Sequence, residues 1–192
     1  MSSTELKSQK KAVRKHFLQV RSNISDQDKN KANQRIFESV IELEQFKSAE
    51  TIHIYASMEE RNEVDTFHLI EYSLEAGKKV LVPVMQKDAK LIHCEIGSIN
   101  SFEKNSWGVP EPIDQTPAES CNPDVIFVPM VAGDLEKNRI GYGKGYYDRF
   151  LKSVSGTKIG LLFEKQLSTK KLPTGPFDVA LDLLITENQT IV

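Results

Sequence analysis

Two linked segments organise this chain: Asp124-Val125-Ile126-Phe127-Val128-Pro129-Met130 and Arg139-Ile140-Gly141-Tyr142-Gly143-Lys144-Gly145-Tyr146-Tyr147-Asp148-Arg149. The first is a near-continuous apolar run, which is typical of a strand buried on both faces of a parallel sheet. The second alternates three glycines with other residues and leads into a helical pattern. Glycines allow the backbone to approach a ligand closely, and a helix that begins there offers unpaired N–H groups to an anion. The pattern therefore predicts a phosphate-binding loop between a strand and a helix.

This glycine loop does not match the common nucleotide-binding templates. A P-loop needs Ser or Thr after its lysine, whereas Lys144 is followed by Gly145. A dinucleotide fingerprint needs its third glycine three positions after the second, and here the gap is two. Glycine spacing alone would suit a plain turn equally well. The adjacent Tyr146 and Tyr147, the carboxylate after them and three nearby basic side chains favour a ligand site.

Helical and strand patterns alternate along the rest of the chain. Helices are predicted over about 5–21, from Ser25 to about 45, from 65 to 76 and from about 145 to 154. Strands are predicted at 51–56, 79–83, 91–96, 125–130, 158–163 and 183–186, with 97–123 loop-like. The alternation predicts an α/β fold, a single-domain three-layer sandwich over residues 1–192 with a largely parallel sheet and Rossmann-like topology.

Three segments follow the predicted ends of strands. They are the glycine loop, the Ser57-Met58 turn and the Phe163-Glu164 pair. In open α/β sheets, ligands bind beyond the carboxyl ends of the strands. We therefore expect these segments to converge on one site.

The composition describes an ordinary globular protein and narrows its partners. The net charge is −2, with 39% hydrophobic and 27% charged residues, so nucleic acid and membrane are not expected as partners. Cys94 and Cys121 have no metal-type spacing and predict small buried side chains in a reducing compartment. The first residues show no apolar signal core, so we expect a cytoplasmic protein, and we expect a monomer.

The first predicted helix is strongly basic. Its basic residues, opposed only by Glu5, are Lys7, Lys10, Lys11, Arg14, Lys15 and Arg21. Such a charge run is usually a solvated face. Its apolar residues Val13, Phe17 and Val20 fall at helical spacing on one side, which leaves most basic side chains able to reach a ligand.

The segment from Arg139 to Arg149 resembles the signature of the 5-formyltetrahydrofolate cyclo-ligases, also called methenyltetrahydrofolate synthetases. Further segments resemble that family in the same order and span nearly the whole chain. They are 10–14, Ser57-Met58 with Glu63-Val64-Asp65-Thr66, Trp107-Gly108-Val109-Pro110-Glu111-Pro112, and Asp178. Together these segments are specific for the family. Of the individual segments, only the glycine run would be specific by itself.

The resemblance implies closure of 5-formyltetrahydrofolate to 5,10-methenyltetrahydrofolate, with ATP converted to ADP and phosphate. Amide resonance makes the formyl carbon a poor electrophile. Phosphorylation of the formyl oxygen would create a leaving group, so that N10 could attack. The protein would mainly position the reactants and neutralise charge, as in other phosphoryl transfers.

The resemblance also implies where ATP binds. The implied positions are Lys10, Arg14, Arg139, Gly141, Tyr142, Gly143, Lys144, Gly145, Tyr146 and Tyr147. Of these, Lys144, Arg139 and Tyr147 would act on the transferring group.

Two carboxylates, Asp148 and Asp178, match the family's magnesium-associated positions. Mg²⁺ needs only one or two carboxylates when phosphate oxygens and water complete its shell. Asp182 is an alternative to Asp178, because a short shift in alignment exchanges them. Without the resemblance, Asp148 would be interpreted as an acid in the first turn of a helix.

The implied folate-binding residues are Met58, Glu63, Trp107 and Tyr147. The carboxylate of Glu63 would accept the N–H donors of the pterin ring, while Met58 and Trp107 would supply apolar or stacking surface. The segment between Met58 and Glu63 is longer than in some family members. Glu59 and Glu60 therefore stay open as alternatives for the pterin acid.

Two other functions stay open on the sequence. A nucleotide-binding or regulatory module could keep the loop and lose folate chemistry, since Gly133 stands where family members often have Phe and could loosen the pocket. An enzyme of the related sugar-isomerase or CoA-transferase type would share only the fold. Folate-dependent ATPase activity would separate the cyclo-ligase from both.

Overall fold

The computed structural model describes residues 2–192. The helices are α1 (Ser3–Ser22), α2 (Asp26–Glu42), α3 (Glu44–Ser48), α4 (Phe67–Glu75) and α5 (Tyr146–Phe150). The first strands are β1 (Thr51–His53), β2 (Lys79–Met85), β3 (Leu91–Ile96), β4 (Phe102–Lys104), β5 (Pro110–Pro112) and β6 (Val125–Val128). The others are β7 (Ala132–Asp134), β8 (Arg139–Ile140), β9 (Thr157–Leu161), β10 (Leu167–Ser168), β11 (Leu183–Ile185) and β12 (Thr190–Ile191).

The main sheet has seven strands in the order β12-β11-β9-β6-β1-β2-β3. The five inner strands are parallel, and the edge strands β3 and β12 are antiparallel to their neighbours. Strands β10, β7 and β8 form a small second sheet, and β4 pairs with β5 in a hairpin. The predicted α/β class with a largely parallel sheet is confirmed.

Successive side chains of the central strands enter two different cores, as the period of a strand requires. Val125 and Phe127 of β6 join a core that includes Ile36 of α2 and Phe46 of α3. The alternate residues of β6 pack on the other side of the sheet, against Phe150 of α5. All four β6 residues are buried, because both faces of the strand are covered. Helices thus lie on both faces, which is the predicted three-layer arrangement.

Helix α1 lies outside this sandwich and packs against the small sheet. Val13 and Phe17 contact the cluster formed by Ala132, Ile140 and Leu172. The N-terminus of α1 is closed by a capping box between Ser2 and Glu5, which satisfies backbone donors that the helix leaves free. This packing brings the basic helix to the strand that leads into the glycine loop.

Several predicted boundaries were wrong. The second helix stops at Glu42, because Leu43 is extended and a separate short helix follows. The strand predicted to reach residue 56 ends at His53, whereas β2 continues through Pro83 to Met85. The last predicted helix ends at Phe150 rather than residue 154.

The segment 97–123, predicted as a loop, contains the β4–β5 hairpin. Its turn is built by Asn105, whose side-chain oxygen accepts the N–H groups of Trp107 and Val109, and by Gly108 at a φ of 77°. Asn and Gly are the residues that such a turn requires, so the turn was visible in the sequence. The strands were missed because both are only three residues long and one begins and ends with proline.

Candidate active site

The glycine loop joins β8 to α5 at the carboxyl edge of the main sheet. Gly143 and Gly145 have φ values of 93° and 75°, a conformation that other residues adopt at a cost. A Cβ atom on Gly143 would lie 2.9 Å from an amino nitrogen of Arg14. Glycine is therefore required there both by the turn and by the close approach of a basic side chain. Since α5 spans only five residues, anion binding would depend on the loop and its basic neighbours more than on a helix dipole.

The basic helix α1 touches this loop directly. Arg14 donates from Nε to the carbonyl oxygen of Gly141 at 2.7 Å, and burial lowers the pKa of Arg14. Lys10, one turn earlier, forms an ion pair with Asp178, whose carboxylate also accepts the N–H of Gly175 at 2.6 Å. Two of the predicted ATP-binding residues thus lie at the loop, and the helix is more than a solvated face.

A partly buried ion pair joins Arg139 to Asp148 across the loop. The distance from Arg139 Nη2 to Asp148 Oδ1 is 2.8 Å, and the same oxygen accepts the N–H of Val179 at 3.3 Å. Burial lowers the pKa of Arg139, while Asp148 and Asp178 act in the opposite direction. Each predicted magnesium-associated acid is therefore already neutralised by a predicted ATP-binding base.

The geometry separates Asp178 from its alternative. Asp182 accepts the backbone N–H of Lys158 at 2.7 Å, at the beginning of β9. That is the amino edge of the sheet, whereas the glycine loop follows the carboxyl edge. Asp178 lies beside Lys10, near the loop, and Asp182 does not.

Two tyrosines at the start of α5 point to different places. Tyr146 donates its hydroxyl to the carbonyl oxygen of Gln86 at 3.2 Å. The hydroxyl of Tyr147 is buried and has no hydrogen-bond partner among the described residues. Burial, and then the charge of Glu63, raise the pKa of Tyr147, so its hydroxyl stays protonated and can donate. Lys144 is exposed in the loop, and Arg149 holds the loop by donating to its carbonyl oxygen at 3.2 Å.

Glu63 is buried, with 6% of its surface exposed, and is held on both oxygens. Its Oε2 accepts the N–H of Met58 at 2.8 Å, and its Oε1 accepts the hydroxyl of Tyr142. A 3₁₀ turn over Glu59–Arg61 and the left-handed Asn62 fold the chain back, which brings Glu63 beside Met58. The longer loop between the two residues therefore closes on itself.

The alternative acids occupy different surroundings. Glu59 and Glu60 are both exposed, and Glu60 pairs with Lys104 on the β4–β5 hairpin. Only Glu63 of the three contacts the glycine loop, through Tyr142. The structure thus brings the first choice, Glu63, to the loop.

A cleft of about 720 Å³ opens beside Glu63, between α2 and the β4–β5 hairpin. Its walls include Lys29, Asn33, Glu63, Phe67, Phe102 and Lys104. Trp107 lies at the tip of the hairpin that forms one wall and is 67% exposed. Met58 is buried behind the cleft and does not line it. Of the predicted folate-binding residues, Glu63 therefore lines the cleft, Trp107 lies at the tip of one wall, and Met58 lies behind it.

Sequence reasoning missed the role of Arg21, which is only 2% exposed. It donates from Nη2 to the hydroxyl of Tyr142 at 2.7 Å and from Nη1 to the carbonyl oxygen of Met130 at 3.3 Å. The signal was its spacing, since Arg21 follows Phe17 by four residues and so lies on the apolar face of α1. Tyr142, assigned to ATP, turns its side chain toward the predicted folate acid instead.

The expectation that Gly133 loosens the pocket was wrong. A Cβ atom on Gly133 would lie 3.0 Å from a methyl group of Leu184 and 3.1 Å from one of Leu162. A side chain here would point toward the main-sheet core and would require these two leucine side chains to shift. Gly133 therefore leaves no gap that would favour a module without folate chemistry.

A pair of histidines lies beneath the loop. His53 Nε2 and His93 Nδ1 are 3.0 Å apart, and the ring of Phe150 packs against both. The ring of Tyr147 meets that of His53 edge-on, with centroids 6.1 Å apart. Burial lowers the pKa of both histidines, most strongly that of fully buried His53, whose pKa His93 lowers further.

Between residues 2 and 192, no three His, Cys, Asp or Glu side chains form a metal-binding group. The donor set still suits Mg²⁺ bound with a nucleotide. Asp148 and Asp178 each direct one carboxylate oxygen to a base, and their second oxygens accept no hydrogen bond from a described residue. These oxygens are the hard ligands that Mg²⁺ prefers.

No helix between residues 2 and 192 combines the length and the apolar character needed to cross a lipid bilayer.

The fold and the loop define an α/β protein with basic and acidic groups gathered at the carboxyl edge of its sheet. The sequence model of the 5-formyltetrahydrofolate cyclo-ligase family matches residues 6–187. The chain therefore belongs to the 5-formyltetrahydrofolate cyclo-ligase family, whose members are ligases of folate one-carbon metabolism.

Individual relatives agree with this assignment. A Caenorhabditis elegans protein named probable 5-formyltetrahydrofolate cyclo-ligase is 28% identical, with 97% of each chain covered. The solution structure of Aquifex aeolicus 5,10-methenyltetrahydrofolate synthetase superposes with a TM-score of 0.81 at 30% identity, covering 94% of this chain and 91% of that one. The Mycoplasma pneumoniae 5,10-methenyltetrahydrofolate synthetase gives a TM-score of 0.71 at 26% identity, covering 93% and 98%.

Proposed function

We propose that this enzyme closes 5-formyltetrahydrofolate to 5,10-methenyltetrahydrofolate and converts ATP to ADP and phosphate in the same reaction. The observation that carries the proposal is the juxtaposition of two half-sites. The glycine loop, with Arg14 and Arg139 beside it, adjoins the cleft at Glu63, because the side chain of Tyr142 reaches from the loop to the Glu63 carboxylate. One half suits a polyphosphate, and the other suits a ligand that presents N–H donors.

The loop and its basic neighbours would hold ATP. Backbone N–H groups of Gly141, Gly143 and Gly145 suit phosphate oxygens because nothing but hydrogen projects from their Cα atoms. Lys10, Arg14, Arg139 and Lys144 would offset the charge on the phosphates, while Tyr146 and Tyr147 border the loop. The side chain of exposed Lys144 is long enough to follow the transferring phosphoryl group.

Mg²⁺ would be held by Asp148 and Asp178, together with phosphate oxygens. When bound, it would neutralise phosphate charge and so favour attack on the γ-phosphorus. Arg139 and Lys10 fix the two acids through their ion pairs.

The cleft would hold the folate, with Glu63 accepting N–H donors of the pterin edge. Both oxygens of Glu63 keep lone pairs beyond those used by Met58 and Tyr142, since each carboxylate oxygen accepts about two bonds. Trp107 would fold over the ring system from the hairpin. The protonated hydroxyl of Tyr147 would donate to the formyl oxygen or to the phosphoryl group, because it has no other partner among the described residues.

The chemistry then needs no nucleophilic side chain. The formyl oxygen attacks the γ-phosphorus and ADP leaves; N10 then attacks the activated carbon and loses its proton to water, and the C–O bond breaks as phosphate leaves. The enzyme would contribute alignment and charge stabilisation, which are the main sources of catalysis in phosphoryl transfer.

The compartment and assembly remain predictions. Both cysteines are free thiols, and burial raises the pKa of Cys121 to about 11, which disfavours the reactive thiolate. These properties support a cytoplasmic protein. We also keep the prediction of a monomer with small-molecule substrates and no nucleic-acid or membrane partner.

The deciding experiment mixes the protein with Mg-ATP and 5-formyltetrahydrofolate and follows absorbance at the band of the methenyl product. We expect product only when protein, ATP and Mg²⁺ are all present. ATP hydrolysis that is independent of folate, without methenyl product, would instead favour the nucleotide-binding module. Fluorescence of Trp107, the only tryptophan in the chain, adds a binding signal that folate should change and ATP alone should not.

A further inference from the structure

A chain of hydrogen bonds connects three segments that are distant in sequence. Arg21 of α1 donates to the hydroxyl of Tyr142, and that hydroxyl donates to Oε1 of Glu63. The direction is unambiguous because a guanidinium can only donate and a carboxylate can only accept. Burial and the neighbouring carboxylate raise the pKa of Tyr142, so the phenol remains protonated between its two charged neighbours.

The burial of Arg21 needs an explanation beyond packing. A buried charge is unfavourable unless it is paired and hydrogen-bonded. Within residues 2–192, Arg21 forms no ion pair shorter than 4 Å, its Nε has no partner, and its donors reach only Tyr142 and the carbonyl oxygen of Met130. The negative charge that compensates Arg21 is therefore that of Glu63, reached through the phenol. An apolar side chain of similar length would leave the Tyr142 hydroxyl and the Met130 carbonyl oxygen without these donors.

Tyr142 belongs to both half-sites. Its backbone lies in the glycine loop between Gly141, which accepts a hydrogen bond from Arg14, and Gly143, against which Arg14 packs. Its side chain leaves the loop and fixes Glu63. A ligand that orders the loop backbone therefore also orders the hydroxyl that orients the folate acid.

We propose that Arg21 is a positioning residue that orients Glu63 through Tyr142, and that Tyr142 couples the two substrates so that nucleotide binding strengthens folate binding. The inference rests on the proposed function for the identity of the two ligands. Linkage makes the effect reciprocal, so folate must strengthen nucleotide binding by the same factor. Couplings of this kind are typically about 5- to 150-fold, and we expect about tenfold here.

The test measures 5-formyltetrahydrofolate affinity by calorimetry, with and without a saturating non-hydrolysable ATP analogue and Mg²⁺. In the wild type the analogue should strengthen folate binding about tenfold. Tyr142→Phe keeps the ring and removes the hydroxyl, so the ratio should fall to about 1 while analogue affinity without folate changes less than about twofold. The KM for folate should rise more than kcat falls, because a binding contact is lost.

Arg21 is tested by a double-mutant cycle. Arg21→Met should weaken the coupling, and Arg21→Lys, which retains a donor, should restore part of it. If Arg21 acts through the phenol, Arg21→Met combined with Tyr142→Phe should bind folate about as weakly as Tyr142→Phe alone. Arg61 provides the matched control, since its guanidinium lies 5.3 Å from the same ring centroid without a hydrogen bond to the hydroxyl. Arg61→Met should keep the coupling.

The outcomes are distinct. Retention of the tenfold ratio in Tyr142→Phe, or additive effects in the cycle, would overturn the inference and leave Arg21 a structural residue. If Arg21→Met does not fold, Tyr142→Phe and Arg21→Lys still decide the matter. Absence of methenyl product from the wild type would overturn the proposed function instead, and product formed with unchanged coupling in Tyr142→Phe would overturn only this inference.

Discussion

The two halves of the proposed site are built in opposite ways. The nucleotide half comes largely from one stretch, Arg139 to Arg149, and its buried Arg139 is already paired with Asp148. The folate half is assembled from the turn after β1, the β4–β5 hairpin and the side chain of Tyr142, and its acid Glu63 is held by a hydroxyl and a backbone N–H. A local segment can be recognised from sequence, whereas a half assembled from distant segments depends on the fold.

The largest effect should follow from breaking the ion pair in the nucleotide half. Asp148→Asn removes a proposed magnesium ligand and leaves buried Arg139 without its charge partner. We expect kcat/KM for methenyl formation to fall about 10²- to 10³-fold, the range seen when a charge-stabilising group is lost. Circular dichroism should show a folded protein. Full activity after chelator treatment would contradict the metal role.

Asp182→Asn is the matched control, because Asp182 is a carboxylate paired with a lysine at the opposite edge of the sheet. Its activity should stay within about threefold of wild type, as for most surface substitutions. If Asp182→Asn loses activity and Asp178→Asn does not, the second magnesium-associated acid is Asp182.

The next effect should appear in the folate half. Glu63→Gln presents an N–H donor where the carboxylate accepts from Met58 and Tyr142 and, as we propose, from the pterin, so a donor would face a donor. Folate binding should weaken by about 2–4 kcal/mol, with ATP binding little changed. Titration of 5-formyltetrahydrofolate into Glu63→Gln, Glu59→Gln and Glu60→Gln makes the comparison. Wild-type binding by Glu63→Gln beside a loss in either of the others would move the role to that residue.

A smaller effect is expected from Arg14→Met, which should weaken the binding of ATP but not that of folate. Arg14→Met removes a charged donor from the glycine loop, which should weaken ATP binding about tenfold, near the lower end for charge-assisted hydrogen bonds. Folate binding in the absence of ATP should change much less. Lys15→Met, which removes an exposed charge from the same helix, should leave ATP affinity unchanged. Equal losses in the two variants would mean that only the net charge of α1 matters.

The smallest effect concerns the buried histidines His53 and His93, which lie beneath the glycine loop. Because the folded state lowers the pKa of His53 and His93, the unfolded chain takes up protons first as pH falls through about 6.5. The free energy of unfolding should therefore decrease below that pH, by at most about 1.4 kcal/mol per pH unit for each histidine, and should not depend on this pair above it. Urea unfolding at pH 5.5 and 7.5 measures the difference.

His93→Gln should reduce this pH dependence, whereas His16→Gln, which changes an exposed histidine, should not. If the free energy of unfolding of His93→Gln depends on pH as strongly as that of the wild type, His93 does not contribute to the pH dependence between pH 5.5 and 7.5.

Much of the framework was predictable because its causes are local. The buried run Val125–Val128 predicted a central strand, and the helices that cover the sheet followed from their apolar spacing. Boundaries were less predictable, since the break at Leu43 and the extension of β2 through Pro83 depend on neighbouring elements. Proline is tolerated at position 83 because the pairing of β2 with β1 ends at Leu81, so β2 is paired on one side only there.

The site likewise has features that the sequence predicts and features that depend on tertiary contacts. Gly143 and Gly145 mark the loop because positive φ and a close neighbour impose glycine on the sequence itself, and the family resemblance supplied Glu63 and Asp178. The sequence by itself thus determined the class of fold, the position of the loop and the family. Only the tertiary structure decided that Arg21 is buried, that Tyr142 leaves its loop to hold Glu63, and that Asp178 rather than Asp182 lies near the loop. The physical reason is that a side chain's hydrogen bonds and burial depend on segments brought together by folding, which no local pattern encodes.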